Sequence, residues 1–136
     1  TVDLYRTDFA ERLGSASSGG NTSIGRMKIY NLTDDLEQDD TVTPLYRKSL
    51  LYLVSNAFEK APPKKGEPIL GMAKFEKEFA RQDGLEVIYS GTGRQPRSLS
   101  ESHGGFDNDV ATMNDVLSHI LGGDPLRAFN ENDLKY

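Results

Sequence analysis

Apolar and polar residues alternate over Met27-Lys28-Ile29-Tyr30-Asn31-Leu32, between Gly25 and the acidic run that opens at Thr33-Asp34. That period of two predicts a strand over about 27–32. Further on, Thr43 is a fitting N-cap with Pro44 at the first helical position. Tyr46, Leu50, Leu53, Val54, Ala57 and Phe58 then recur at a spacing of 3.6, which predicts a helix from Pro44 to about Lys60. The stretch Ala61-Pro62-Pro63-Lys64-Lys65-Gly66 breaks it. Pro68 opens a second predicted helix carrying Leu70, Met72, Ala73, Phe75, Phe79 and Ala80, and Gly84 ends it.

Leu85-Glu86-Val87-Ile88-Tyr89 alternates again and is rich in β-branched residues, so a second strand is predicted, closed by Ser90-Gly91-Thr92-Gly93. A loop rich in Arg, Pro and Ser runs on from Arg94 to Gly105. The Asp107-Asn108-Asp109 cluster supplies an N-cap for a third helix lined by Val110, Met113, Leu117, Ile120 and Leu121, which Gly122-Gly123 stops. Near the N-terminus, Thr7 can cap a turn or two of helix bearing Phe9 and Leu13. The Gly/Ser stretch from Gly14 to Asn21 favours a mobile loop.

The order is strand, helix, helix, strand, loop, helix: an α/β pattern with a parallel crossover. It divides the chain into a mobile segment 1–25, an α/β segment 26–123 and a tail 124–136. Two strands are too few to cover three amphipathic helices. Either Leu4, Leu51-Tyr52-Leu53 or the tail adds strands, or the missing partners lie outside this chain. The opening residue, Thr1, is not Met, which fits the second of these expectations.

Composition narrows the function. The 136 residues are 36% hydrophobic with 13 Gly, as ordinary globular chains are, and the length suits a single domain. A net charge of -5 removes the electrostatic attraction that nucleic-acid and anionic-membrane binders rely on. The longest apolar run, Leu50 to Val54, is far too short to span a bilayer, and no basic-then-apolar signal opens the chain. With no Cys, disulfides, thiolate catalysis and Cys-ligated zinc are excluded, while both cytoplasmic and exported bacterial locations remain compatible.

Of the two His, His119 sits among the apolar positions of the third helix, near its C-terminal end, and is read as structural. His103 lies in the loop Ser100-Glu101-Ser102-His103-Gly104-Gly105, where two glycines allow close approach of a ligand. In a parallel sheet the loops after both strands leave from one carboxyl edge, so Asp34, or Asp35 as the alternate, can orient His103 as a general base.

The run from Arg26 to Gly122, with strand, acid, long helix, strand, Ser102-His103-Gly104-Gly105 and closing helix, resembles the C-terminal part of a bacterial α/β-hydrolase. The resemblance rests on order and spacing. It implies a partial parallel sheet from the C-terminal half of such a sandwich, a triad acid at Asp34 or Asp35, a base at His103, and ester or lipid acyl substrates, with no cofactor or metal. The family's G-x-S-x-G elbow is absent. The nearest match, Ala16-Ser17-Ser18-Gly19-Gly20, comes after a charged helical segment where a buried strand would be needed, so Ser18 is a poor nucleophile. The resemblance therefore implies a nucleophile carried by the remainder of the same protein or a companion chain, and no activity for the piece alone.

A second segment, Ile88-Tyr89-Ser90-Gly91-Thr92-Gly93, is similar to the metacaspase turn that carries the catalytic His, with Thr92 in the His position and no Cys nucleophile. It would imply an inactive caspase-like relative; a Gly-rich turn that happens to follow a strand is the favoured account. The run Asp34-Asp35-Leu36-Glu37-Gln38-Asp39-Asp40 has carboxylates for Ca²⁺ or Mg²⁺ but no glycine as in a D-x-D-x-D-G loop. A solvated acidic loop is the expectation there. Lys64-Lys65 and Arg94 with Arg97 are read as solvated basic spots. The competing class is a non-catalytic α/β interaction domain, docking a partner through the surface around Phe58, Phe75 and Phe79 or through the unpaired sheet edge.

Overall fold

The computed structural model describes residues 27–40, 49–57, 69, 71–75 and 85–135. The expected N-terminal helix, the Gly/Ser loop with Ser18, Pro44 to Lys48, Phe58, and most of the second helix with Phe79 lie outside them.

Both predicted strands form: β1 is Met27–Asn31 and β2 is Leu85–Tyr89. They pair in parallel, with Met27 opposite Leu85 and Asn31 opposite Tyr89. The Ser90 amide donates to the Asn31 carbonyl at 2.9 Å, carrying the ladder one residue past β2. A parallel pair needs a long crossover, and the 53 residues between the strands supply it. The described chain is thus mixed α/β around a small two-stranded parallel sheet.

The acidic run departs from expectation. Instead of a solvated loop it forms α1, Asp34–Asp39, because the Thr33 hydroxyl accepts from the Leu36 amide as N-cap and three acids in the first turn complement the helix dipole. The next helix, α2, is Leu50–Ala57. Ser49 is not helical: its amide donates to the Glu37 carbonyl of α1 at 3.0 Å, and its carbonyl accepts the first α2 bond from Leu53. Of the predicted helix from Pro44 to Lys60, the described part runs from Leu50 to Ala57, with Ser49 outside it. Tyr52 is buried and donates to Asp34 Oδ1 at 2.5 Å, tying α2 to α1.

The second predicted helix is broken at Gly71. Its φ is +101°, where a side chain would be strained, and the described residues Ala73–Phe75 beyond it form a 3-10 turn. A Cβ on Gly71 would meet Leu51 Cδ1 at 3.6 Å and Asn31 Oδ1 at 3.7 Å, so this turn lies against α2 and the end of β1.

The third predicted helix forms as α3, Val110–Leu121, capped by Asp109 and ended by Gly122 in the left-handed conformation. It lies over the sheet face that presents Lys28 and Tyr30, both of which bond Asp115 of α3. The tail is tied down: Asn114 and Phe129 exchange two hydrogen bonds, at 3.0 and 2.7 Å, and Leu134 is buried. The buried apolar side chains are few among the described residues: Leu32, Tyr52, Met72, Ile88 and Leu134. No described helix is long and apolar enough to cross a membrane.

Candidate acid–base site

Strands β1 and β2 both end at one edge of the sheet, and the segments leaving them meet there. After β1 the chain turns into α1, whose Glu37 is fully buried. After β2 it enters the loop Ser90–Asp109, on which His103 opens a 3-10 turn, His103–Gly105. The His103 Nε2 lies 2.7 Å from Glu37 Oε1. That oxygen has no other hydrogen-bond donor among the described residues, so the imidazole is the group that faces it, and the two form an ion pair when the ring is protonated. The other carboxylate oxygen, Oε2, accepts from the Ser49 hydroxyl. The same acidic run also holds the loop backbone, since the His103 amide donates to Asp40 Oδ2 at 3.0 Å.

The carboxylate at the imidazole is therefore Glu37. Asp34 is engaged elsewhere, accepting from Tyr52 and from Gln38 Nε2 at 2.9 Å, and Asp35 faces solvent. The expected strand-edge approach brings His103 to Glu37 and Asp40, and not to Asp34 or Asp35. Glu37 is hidden when the run is read as a loop. The signal that could have found it is Thr33, a helix N-cap residue that sets α1 and turns Glu37 inward.

His103 is half-exposed, its side chain 39% accessible, while its partner is wholly inaccessible. The bond to Glu37 raises the imidazole pKa above 6.5; partial burial works against this, and the charges of Glu37 and Asp40 add to it. The buried acid engages Nε2, and Nδ1 of this half-exposed ring has no polar partner among the described residues. Phe106 stands edge-on to the ring, with centroids 6.5 Å apart.

A buried hydroxyl network fixes the loop that carries His103. Ser90 donates to the Ser100 carbonyl at 2.6 Å, and Ser98 donates to Ser90 at 3.3 Å. Thr112 of α3 reaches Ser98 at 2.8 Å and Asp109 at 2.5 Å. Asp109 accepts from the amides of Leu99, Ala111 and Thr112. Desolvation alone would raise its pKa, but these bonds outweigh it and hold the carboxyl below its usual range. Gly105 packs closely on the loop, for a Cβ there would lie 2.7 Å from Ser100 Oγ. Beside the loop, an open cavity of about 760 Å³ is lined by Leu99, Asp109, Val110, Ala111 and Leu134 among others.

Thr92, in the metacaspase-like turn, donates to the Tyr89 carbonyl at 2.7 Å between Gly91 and Gly93, both at positive φ. It behaves as a turn residue. No group of three or more candidate metal ligands occurs among the described residues. The chain matches no protein-family model, no curated protein and no solved structure.

Proposed function

We propose that Glu37 and His103 are the acid and base of a serine-hydrolase triad, acting on small ester or lipid acyl substrates, with the nucleophilic serine supplied by the remainder of the same protein or a companion chain. The observation that supports this most is the pairing itself: a fully buried carboxylate 2.7 Å from an accessible imidazole, at the carboxyl edge of two parallel strands. Triad acids are Asp or Glu, and their work is to orient the imidazole and stabilise the imidazolium that forms.

In this reading Nδ1 takes the serine proton as the serine oxygen bonds to the acyl carbon, then returns it to the departing alkoxide. Water attacks the acyl-enzyme by the same route in reverse. The test is hydrolysis of p-nitrophenyl butyrate by the protein isolated from its own cells, with the wild-type and substituted chains compared. Loss of the base should lower turnover by about 10²–10⁴-fold in H103A. Equal turnover by H103A and wild type would overturn the proposal.

A second reading, a non-catalytic interaction domain, is favoured by the exposed Ile120, Leu121 and Leu126, which are 73%, 58% and 110% accessible. Under that reading, substitutions there abolish association with a partner while H103A leaves it intact.

A further inference from the structure

We infer that Ser49 is a positioning residue for the acid–base pair, holding the Glu37 carboxylate in the one orientation that presents Oε1 to His103. This rests on the hydrolase reading for its catalytic meaning, but its geometry stands apart from it. Ser49 and Glu37 are joined twice: the Ser49 amide donates to the Glu37 carbonyl at 3.0 Å, and the Ser49 hydroxyl donates to Glu37 Oε2. Both residues have no solvent exposure.

A buried carboxylate has few ways to be satisfied. With no solvent exposure, each Glu37 oxygen depends on protein groups. Oε2 is held by the Ser49 hydroxyl, and so rotation of the carboxylate about its last torsion, which is otherwise soft, is restricted. Oε1 is then left pointing at the imidazole. The backbone bond places Ser49 at the start of α2, so the oxygen's position is referenced to a helix that Tyr52 also ties to α1. An alanine at 49 keeps the backbone bond and removes only the hydroxyl, freeing Oε2 to turn and compete for the ring.

Among the described residues, the groups that face the His103 ring and backbone are Glu37 and Asp40, from the acidic run, with Phe106 edge-on. The readout is therefore the titration of the imidazole, tracked by NMR of the carbon-bound ring protons. With two His in the chain, H119Q assigns the signals. In the wild type the His103 midpoint should stand above 6.5; in E37Q it should fall to that value or below, and in S49A it should fall part of the way. S49T, which keeps the hydroxyl, should restore the wild-type midpoint. If S49A does not fold, S49C, of similar volume and with a far weaker donor, replaces it. A wild-type midpoint in S49A or S49C together with a lowered one in E37Q would overturn the role of Ser49 and leave the Glu37–His103 pair standing. A wild-type midpoint in E37Q would overturn both. In turnover assays, a positioning role shows itself as a lowered kcat at unchanged KM.

Discussion

Lys28 of β1 and Asp115 of α3 meet at 2.8 Å, each side chain only 15% exposed, and the same Asp115 oxygen accepts from Tyr30 at 2.6 Å. One carboxylate thus ties two residues of a strand face to the helix lying over it. Burial opposes its ionisation, but the bonds from Lys28 and Tyr30 and the charges of Lys28 and Arg97 outweigh that, so its pKa lies below 3.8. Burial and the same bond push the Tyr30 phenol up.

D115N keeps the shape and removes the charge, leaving the Lys28 ammonium without its closest counter-ion. Charge-assisted hydrogen bonds contribute about 1.5–3 kcal/mol, so the urea midpoint of D115N should fall by a corresponding amount. In wild type the contribution of Asp115 is complete above 3.8, its unfolded value, and is lost as pH falls through the lower folded value. An unchanged midpoint in D115N would mean that α3 is held to the sheet by packing alone.

The His103 pair shifts stability in the opposite sense. Its folded pKa is raised above 6.5, so between 6.5 and the folded value the native state keeps a proton that the unfolded chain has released. The stabilisation is complete below 6.5 and disappears as pH rises through the folded value. Urea midpoints measured from pH 6 to pH 9 should fall more steeply in wild type than in H103Q, which has no imidazole at 103. Parallel curves would show that the ion pair contributes nothing to folding.

Two adjacent glycines in the His103 turn should respond differently to the same change. A Cβ on Gly105 would sit 2.7 Å from Ser100 Oγ and 3.1 Å from Ser102 Oγ, and Ser100 is already donating to the Ser102 carbonyl at 2.8 Å. G105A must displace that hydroxyl, at a cost of about 1–3 kcal/mol as in other overpacked sites. Gly104 has nothing within 4 Å, so G104A should melt with the wild type. Equal melting temperatures for the two variants would show that the loop yields freely.

The parts of this fold that are legible in the sequence are those whose cause is local. Period-two alternation marks β1 and β2, and the Asp109 cap with the Gly122 stop brackets α3. The parallel crossover comes from their order, and the shared carboxyl edge places His103 beside the acidic run. The rest depends on pairings between distant residues. Ser49 leaves the helical pattern because its amide goes to Glu37, and no spacing rule foretells that bond. Within the acidic run five carboxylates look alike in composition. Once the Thr33 cap starts a helix, Glu37 is the one that Ser49 and His103 pack against.

The apolar surface left uncovered leads to the last prediction. The 3.6-residue spacing puts Leu50 and Leu53 on the inward stripe of a helix, yet they are 54% and 42% exposed, and Ile120, Leu121 and Leu126 are more open still. Fully burying a large apolar side chain is worth about 1.5–3 kcal/mol, so covering even three of these would contribute about 5–9 kcal/mol, as much as many domains possess in total. The purified 136-residue chain should therefore sediment as an oligomer or bind a hydrophobic dye. Replacing Ile120, Leu121 and Leu126 together with serine should lower the dye signal and shift the sedimentation toward monomer. A wild-type chain that melts sharply, sediments as a monomer and binds no dye would show that these side chains need no cover. It would also remove the argument for a companion, leaving the Glu37–His103 pair to find its nucleophile within the chain itself.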